Sequence, residues 1–269
     1  MKNNYRAPEQ HPPIWTIILG GSRPDDPLSK HHNVPSKAHI QVVGRSMLGR
    51  VLEAVTSSTL TGKISVIGLE NYQTLKQEEA WPDIEIEAGA ETPSSSIFQV
   101  CQKAPEDAYP VFVTTCDHAL LRQEIVHTFL KRSEETDADL TVGLVNRNSI
   151  EEQYPNVQRT YLKFKDGDFS SCNLFCLKGP AAMKVVEFWQ SAEVDRKRPW
   201  RIARRFGVLA AARLLIRRPT LEQSFKIISS RLKVRITPVI LPFATAAIDV
   251  DKTSDLELVE QILRSQDLP

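Results

Sequence analysis

The sequence has no long, uninterrupted run of apolar residues. Its longer apolar stretches are shorter than the roughly 20 residues of a membrane-spanning helix, or arginines interrupt them. Residues 1–13 also lack an apolar core of signal-peptide length. We therefore expect a protein without a membrane span or a signal peptide, located in the cytoplasm.

Cysteine is scarce, and no two cysteines stand in a CxxC pair. Each of the four lies in apolar or strand-like sequence: Cys101, Cys116, Cys172 and Cys176. This placement favours buried, reduced thiols and agrees with a reducing compartment.

Neither charge sign is in excess. The 34 lysines and arginines nearly equal the 33 aspartates and glutamates, so no overall field attracts nucleic acid, and we expect no nucleic-acid partner. There is no internal repeat. The 269 residues carry enough apolar side chains for one large core, and we expect residues 1–269 to form one domain.

Apolar runs and helical periodicity alternate through the first half of the chain. Strands are predicted at residues 14–19, 64–69, 111–115, 140–145, 161–164 and 173–177, and helices at 47–55, 94–103 and 122–132. Residues 24–35 are predicted to be a polar loop. The alternation indicates an α/β fold with a parallel sheet, and residues 179–233 are expected to form a basic helical subdomain within the domain.

Two groups of residues follow predicted strands directly, where ligands bind in open parallel sheets. Gly20, Gly21, Ser22 and Arg23 follow the first strand; glycines admit phosphate close to backbone N–H groups, and the arginine adds fixed charge. Asp117 follows the strand at 111–115 and is a candidate Mg²⁺ ligand. A structural turn and a helix cap are the alternatives for the two groups.

Taken together with a third segment, these residues resemble a known family. Residues 17–23 and residues 37–48, which read Lys-Ala-His-Ile-Gln-Val-Val-Gly-Arg-Ser-Met-Leu, look like the opening of the MobA-like NTP transferases. The resemblance implies a Rossmann-like, mixed but mostly parallel sheet flanked by helices, of the nucleotide-diphospho-sugar transferase type, with a C-terminal helical insertion. It also implies that Gly20, Gly21 and Ser22 wrap a triphosphate and that Lys37 contacts phosphate.

The resemblance extends to acidic residues. Asp117 matches the family's metal-binding aspartate, and residues 247–256 are similar to its closing acidic motif, which implies that Asp249 or Asp251 completes a Mg²⁺ site. Two departures stand out. Asp25 occupies the position of the usual loop arginine, for which Arg23 is the candidate substitute, and Ser46 replaces a proline.

The implied reaction transfers a nucleoside monophosphate from an NTP to a small phosphorylated acceptor, a sugar phosphate or phospho-alcohol, and releases pyrophosphate. Lys37, Arg23 and Mg²⁺ on Asp117 would neutralise the phosphates, since positioning and charge neutralisation carry such reactions. His118 is interpreted as a turn residue without a catalytic role.

Two further segments are predicted to line the pocket. Thr92, Ser94 and Ser95 open a predicted helix and are candidate nucleotide contacts, with plain helix capping as the alternative. Asn173 is the acceptor-side candidate, and a buried structural asparagine is the alternative.

The segment 196–218 is unusual in composition, with nine basic residues and no acidic one: Arg196, Lys197, Arg198, Arg201, Arg204, Arg205, Arg213, Arg217 and Arg218. Apolar residues alternate with them. Three interpretations stand: an ordinary packed helix pair, a peripheral membrane contact on anionic headgroups, and a clamp for an anionic acceptor.

Two other functions are open. A glycosyltransferase using a nucleotide sugar shares the fold type and an Asp-x-Asp motif, whose spacing recurs at Asp137/Asp139 and Asp166/Asp168. A non-catalytic nucleotide-binding protein of the same fold is the other. Pyrophosphate release separates the transferase from both.

Overall fold

A computed structural model describes residues 13–23, 25–79, 81–194 and 219–266. Its centre is an eight-stranded sheet. The strands are β1 (Ile14–Leu19), β4 (Thr61–Ile67), β5 (Glu85–Glu87), β6 (Val111–Thr115), β7 (Leu140–Asn146), β8 (Leu162–Phe164), β9 (Gly167–Leu177) and β10 (Ile236–Ile240). Their order in the sheet is β10-β7-β9-β6-β1-β4-β5, and β8 pairs with β9. A separate hairpin joins β2 (Gln41–Val42) to β3 (Arg45–Ser46).

The sheet is mixed and mostly parallel. β1 lies in the middle and pairs in parallel with β4 and β6, whereas β9 runs antiparallel between β6 and β7. Ile17 and Ile18 of β1 point to opposite faces and are both fully buried, as a continuous apolar run in a central parallel strand requires. The predicted fold class is confirmed.

Helices cover both faces of the sheet. They are α1 (Pro27–His31), α2 (Met47–Thr56), α3 (Tyr72–Glu78), α4 (Pro93–Gln102), α5 (Gln123–Glu134), α6 (Arg147–Gln153), α7 (Met183–Val194), α8 (Leu221–Leu232) and α9 (Thr253–Gln266). α2 and α5 share one core with Ile18 and Phe112, and α4 and α7 share a second core with Ile17. The site described below lies where the parallel strands between these layers end.

The structure corrects two local predictions and rules out one alternative. The polar loop predicted at residues 24–35 contains the helix α1, which Asp26 caps by accepting a hydrogen bond from the Ser29 backbone N–H at 2.8 Å. Asp117 is no helix cap, because α5 begins only at Gln123 after the N-cap Arg122. The strand predicted to begin at Asn173 begins at Gly167.

The serine that replaces the family's proline has a structural explanation. Ser46 ends the β2–β3 hairpin and is the N-cap of α2, where its hydroxyl accepts a hydrogen bond from the Gly49 backbone N–H at 2.9 Å. A proline cannot cap in this way, so the substitution exchanges a fixed φ angle for a side-chain hydrogen bond.

The predicted basic helical subdomain at residues 179–233 is described only at its two ends, by α7 and α8. Residues 195–218, which hold the segment 196–218, lie outside the described residues. Within the described ranges, no helix has both the length and the apolarity needed to cross a bilayer. All four cysteines are buried, as predicted.

Candidate active site

The residues predicted to follow β1 and β6 lie side by side. The Gly20 N–H donates a hydrogen bond to the Ile67 carbonyl at the end of β4, at 2.8 Å, and the Cys116 N–H donates to the Leu19 carbonyl at 2.9 Å. Parallel strands end at the same edge of a sheet, so the loop at Gly20–Arg23 and the loop at Asp117 meet there. This is the edge at which ligands bind in open α/β sheets.

Two further glycines, which the sequence analysis missed, join this edge. Gly68 follows β4 with a φ of +76°, and its Cα lies 2.9 Å from the position of a Cβ added to Gly89, just beyond β5. A Cβ on Gly21 would lie 3.3 Å from the Gly68 carbonyl oxygen. Three strand ends therefore approach backbone to backbone, which leaves peptide groups rather than side chains beside the site.

Lys37 is held at the centre of the site. Its backbone N–H donates to the Ser22 hydroxyl at 2.9 Å, which ties it to the loop after β1. Its Nζ donates to Asp251 Oδ1 at 2.6 Å and lies 3.5 Å from Asp117 Oδ2. Burial opposes the charge on Lys37, but Asp117 and Asp251 outweigh burial and raise its pKa above the usual value. The ammonium group therefore stays protonated at neutral pH.

Asp117 lies between this lysine and the C-terminal acidic segment. Its Oδ1 accepts a hydrogen bond from the Thr115 hydroxyl at 2.6 Å, and its carbonyl accepts one from the Val250 N–H at 2.9 Å. Burial raises the pKa of Asp117, Lys37 lowers it, and repulsion from Asp249 and Asp251 raises it further. Asp249 and Asp251 are thus within electrostatic reach of Asp117, and a shared metal site for them stays a prediction.

Asp249 is held by two side chains. Arg159 Nη1 pairs with Asp249 Oδ1, and Asn173 Nδ2 donates to Asp249 Oδ2 at 2.9 Å. Burial raises the pKa of Asp249, but the pairing with Arg159 outweighs it and holds the pKa below the usual value. Asp249 therefore stays ionised.

Asn173 reaches Asp249 because β9 is irregular at this point. Its φ is +52°, and the pairing with β7 changes register nearby, with Val142 opposite Phe175 but Leu144 opposite Ser171. A bulge of this kind re-aims a side chain and is common beside functional sites. The structure therefore places the predicted acceptor-side asparagine next to a predicted metal ligand.

Arg159 and Tyr161, in the segment between α6 and β8, are site residues that the sequence analysis missed. Only 12% of the Arg159 side chain is exposed, and Arg147 lies 5.0 Å from the centre of the Tyr161 ring. No periodicity marks this irregular segment, and the partner of Arg159 is 90 residues away in sequence. A buried arginine next to a family acidic motif carries no sequence signal of its own.

The hydroxyl residues at the start of α4 are engaged with the protein. Thr92 caps α4 by accepting from the Ser95 N–H at 3.2 Å. Ser94 donates to Glu193 of α7, and the Ser95 hydroxyl accepts from Gln190 Nε2 at 3.2 Å. Their contact with a nucleotide stays a prediction, and so does that of Arg23, whose side chain is exposed.

His118 directly follows Asp117 in the sequence, and its side chain is buried. Only 1% of the residue is exposed, and burial lowers its pKa to about 4. The imidazole is therefore neutral at pH 7.

The two Asp-x-Asp pairs lie in structural contacts. Asp137 and Asp139 both pair with Arg235, before the amino end of β7. Asp166 accepts from the Leu221 N–H at 2.8 Å, where α8 begins, and Asp168 pairs with Arg147 at 3.2 Å.

The donors at the site suit a hard cation. Asp117, Asp249 and Asp251 offer only carboxylate oxygens, which Mg²⁺ prefers, and the Lys37 ammonium already bridges two of them as a positive group. In the described part of the chain, no group of three or more His, Cys, Asp or Glu side chains is arranged to hold a metal ion. These carboxylates would supply only part of the ligand shell of a Mg²⁺ ion, and waters or substrate oxygens would complete it.

Comparison with solved structures supports the fold. A hypothetical transferase from Thermus thermophilus is 24% identical, with a TM-score of 0.76 over 91% of this chain and 99% of that one. The 4-diphosphocytidyl-2C-methyl-D-erythritol synthase from Anaerococcus prevotii is 11% identical, with a TM-score of 0.58 over 94% and 96%. A CMP:2-keto-3-deoxy-manno-octonic acid synthetase complexed with CTP is 13% identical, with a TM-score of 0.54 over 94% and 98%.

These identities establish a shared fold and no more. A search of proteins with curated functions found no match. The model of the MobA-like NTP transferase domain matches residues 20–159, more than half of the 269 residues. The matched range holds the glycine loop, Lys37 and Asp117. The chain therefore belongs to the MobA-like NTP transferase family.

Proposed function

We propose that this protein is a Mg²⁺-dependent nucleotidyltransferase that moves a nucleoside monophosphate from an NTP to a small phosphorylated acceptor. The main support is the position of the Lys37 ammonium, 2.6 Å from Asp251 and 3.5 Å from Asp117. The backbone N–H of the same residue donates to the Ser22 hydroxyl in the loop after β1. A fixed cation, acidic residues and an open glycine backbone are the parts that phosphoryl chemistry needs.

In this proposal the triphosphate lies against the backbone of Gly20, Gly21 and Ser22. An oxygen of the acceptor phosphate forms a bond to the α-phosphorus, and the bond from that phosphorus to the bridging oxygen breaks. Pyrophosphate leaves with the bonding electron pair. An ionised phosphate oxygen needs no general base, so the neutral, buried His118 has no proton to accept.

Lys37 and Arg23 bind the triphosphate and offset the charge that develops on the leaving pyrophosphate. Asp117 with Asp249 or Asp251 would hold Mg²⁺, which supplies charge neutralisation for the phosphate oxygens when it is bound. Asn173 orients Asp249 and faces the acceptor. Thr92, Ser94 and Ser95 border the nucleotide only if their contacts with one another and with α7 open.

The cellular setting is a proposal of the same kind. Four buried thiols favour a reducing cytoplasm. Peripheral membrane contact through residues 196–218 rests on composition alone.

The first experiment is a thermal-shift screen against ATP, GTP, CTP, UTP and dTTP, with and without Mg²⁺. A ligand at about 100 times its Kd stabilises the native state by roughly 2.7 kcal/mol, so one nucleotide should raise the melting temperature clearly, and only with Mg²⁺. That nucleotide is then incubated with phosphorylated acceptors, and pyrophosphate release is measured.

Asp117→Asn is the test variant and Asp107→Asn the matched control, because Asp107 is exposed and precedes the amino end of β6, away from the site. We expect the first to abolish Mg²⁺-dependent turnover and the second to retain it. Equal stabilisation of the native protein and the Asp117→Asn variant by Mg²⁺ and nucleotide would reject the metal role. Release of a nucleoside diphosphate from a nucleotide sugar would instead favour a glycosyltransferase.

A further inference from the structure

Six buried side-chain polar atoms have no hydrogen-bond partner in the described part of the chain: Thr16 Oγ1, Thr114 Oγ1, both ring nitrogens of His118, Arg159 Nε and Tyr161 Oη. The last two belong to one short segment beside the candidate active site, in which Arg159 pairs with Asp249. Buried donors are nearly always paired, because an unpaired one has lost its water without compensation. Both atoms lie two residues apart in the segment that leads into β8. No contact among the described residues accounts for either atom.

The protein holds both side chains in place. Arg159 pairs through Nη1 with Asp249 Oδ1. The Tyr161 ring lies against Arg147, which is itself fixed by Glu151 at 2.8 Å and Asp168 at 3.2 Å. Arg147 already pairs with two carboxylates, so its role here is to position the phenol ring of Tyr161. The donors without a partner in this segment are therefore those of Arg159 and Tyr161.

The two donors also share one electrostatic environment. Burial and Glu151 raise the pKa of Tyr161, while Arg147 and Arg159 act in the opposite direction. Both guanidinium groups are therefore within electrostatic reach of the phenol. Asp249 neutralises Arg159 in this state and is also a candidate ligand of the metal.

We propose that Arg159 and Tyr161 form the subsite for the phosphate of the acceptor, with Arg159 leaving Asp249 when that carboxylate is taken up by Mg²⁺. This inference rests on the proposed function. Arg159 then offers the planar fork of donors that suits phosphate, and the Tyr161 hydroxyl offers one more. The subsite lies next to Asp249 and Asn173, as an oxygen that attacks the α-phosphorus requires.

A phosphomonoester fits this subsite better than a carboxylate. In the proposed reaction the phosphate of the acceptor is itself the nucleophile, so the group that binds beside Asp249 must be a phosphate. Its three terminal oxygens can accept from the guanidinium and the phenol while one oxygen stays directed at the nucleotide.

The test uses methyl phosphate as the probe and fluorine NMR as the readout. The chain has five tyrosines, so 3-fluorotyrosine labelling gives at most five resonances, and the Tyr161→Phe variant assigns one of them. We expect methyl phosphate, added with Mg²⁺, to shift the Tyr161 resonance saturably. Tyr109, which precedes the amino end of β6, is the internal control and should not respond.

Arg159→Lys keeps a positive charge for Asp249 but lacks the fork, so it should weaken methyl phosphate binding about tenfold or more. Two results would overturn the subsite: a Tyr161 resonance that responds equally to sodium chloride of matched ionic strength, or equal affinity in Arg159→Lys. A stronger response to acetate than to methyl phosphate would also overturn it.

The subsite and the proposed function can each fail without the other. If NTPs bind but the Tyr161 resonance ignores methyl phosphate, only the subsite fails. If methyl phosphate shifts the resonance in a protein that binds no NTP, the phosphate site stands and the transferase is rejected.

Discussion

Removal of the central ammonium group should expose how much the site depends on it. Lys37→Met keeps most of the side-chain volume but removes the charge that lies 3.5 Å from Asp117 and 2.6 Å from Asp251. Breaking a buried ion pair by deleting one partner costs about 3–5 kcal/mol. Asp251 is 68% exposed, so solvent screens its part, and we expect the lower end, about 3 kcal/mol.

The loss of stability in Lys37→Met should depend on pH. Lys37 lowers the pKa of Asp117, which burial already raises, so its removal raises that pKa further. Some carboxyl groups have a higher pKa in the folded than in the unfolded state. Such a group destabilises the fold at pH values above its folded-state pKa, where it is ionised. The penalty then disappears as the pH falls toward the unfolded value of about 3.9. The variant should therefore recover stability relative to the native protein as the pH falls from 7 to about 4.

Urea denaturation at both pH values measures this difference. Lys226→Met is the matched control, because Lys226 pairs with Glu222 on an exposed helix face and should cost only about 0.5 kcal/mol. The double variant Lys37→Met/Asp117→Asn should regain most of the lost stability, since no buried charge is left alone. A single variant as stable as the control at pH 7 would refute the proposed role of Lys37 in neutralising Asp117.

Three further predictions concern the glycines at the sheet edge, the cap of α2 and the candidate metal site. Gly89→Ala should lower the free energy of unfolding by roughly 1–3 kcal/mol, because the added Cβ would lie 2.9 Å from the Gly68 Cα. Gly179→Ala is the control: its added Cβ would have nothing within 4 Å and should leave the free energy nearly unchanged in the same urea assay. Ser46→Ala should cost about 1 kcal/mol through loss of the α2 cap, and an unchanged midpoint would contradict that role. Mg²⁺ without nucleotide should raise the melting temperature of Lys37→Met more than that of the native protein, because the lysine competes with the metal for carboxylates; equal shifts would exclude this competition.

The sequence predicts best what is local and periodic. β1 and β6 are continuous apolar runs, so their ends could be located, and the rule for parallel sheets placed Gly20 and Asp117 at one edge. The Cys116 N–H donates to the Leu19 carbonyl at the end of β1, which places the two loops side by side. Asp249 and Asp251 could be predicted only from the family motif, because nothing in their own sequence shows that they return to Asp117.

The failures have physical causes of three kinds. The helix α1 was missed because its polar residues suggested a loop, although Asp26 and Pro27 are a sound cap and first turn. The bulge at Asn173 was missed because strand alternation does not reveal a change of register. Arg159 was missed because its ion pair is a tertiary contact in an irregular segment.

The arrangement of charges connects the residues of the candidate active site with one another. Three carboxylates face two cations: Lys37 serves Asp117 and Asp251, and Arg159 serves Asp249. Both cations neutralise the acids in the ligand-free protein, and both are groups that phosphates attract strongly. In the proposed reaction, a metal bound with the NTP would give the carboxylates a new positive partner, and Lys37 and Arg159 would then be free to bind phosphates. Because each charge would exchange one partner for another, no buried charge would be left alone, which matters most for Asp117 and Asp249, whose side chains are only 18% and 15% exposed.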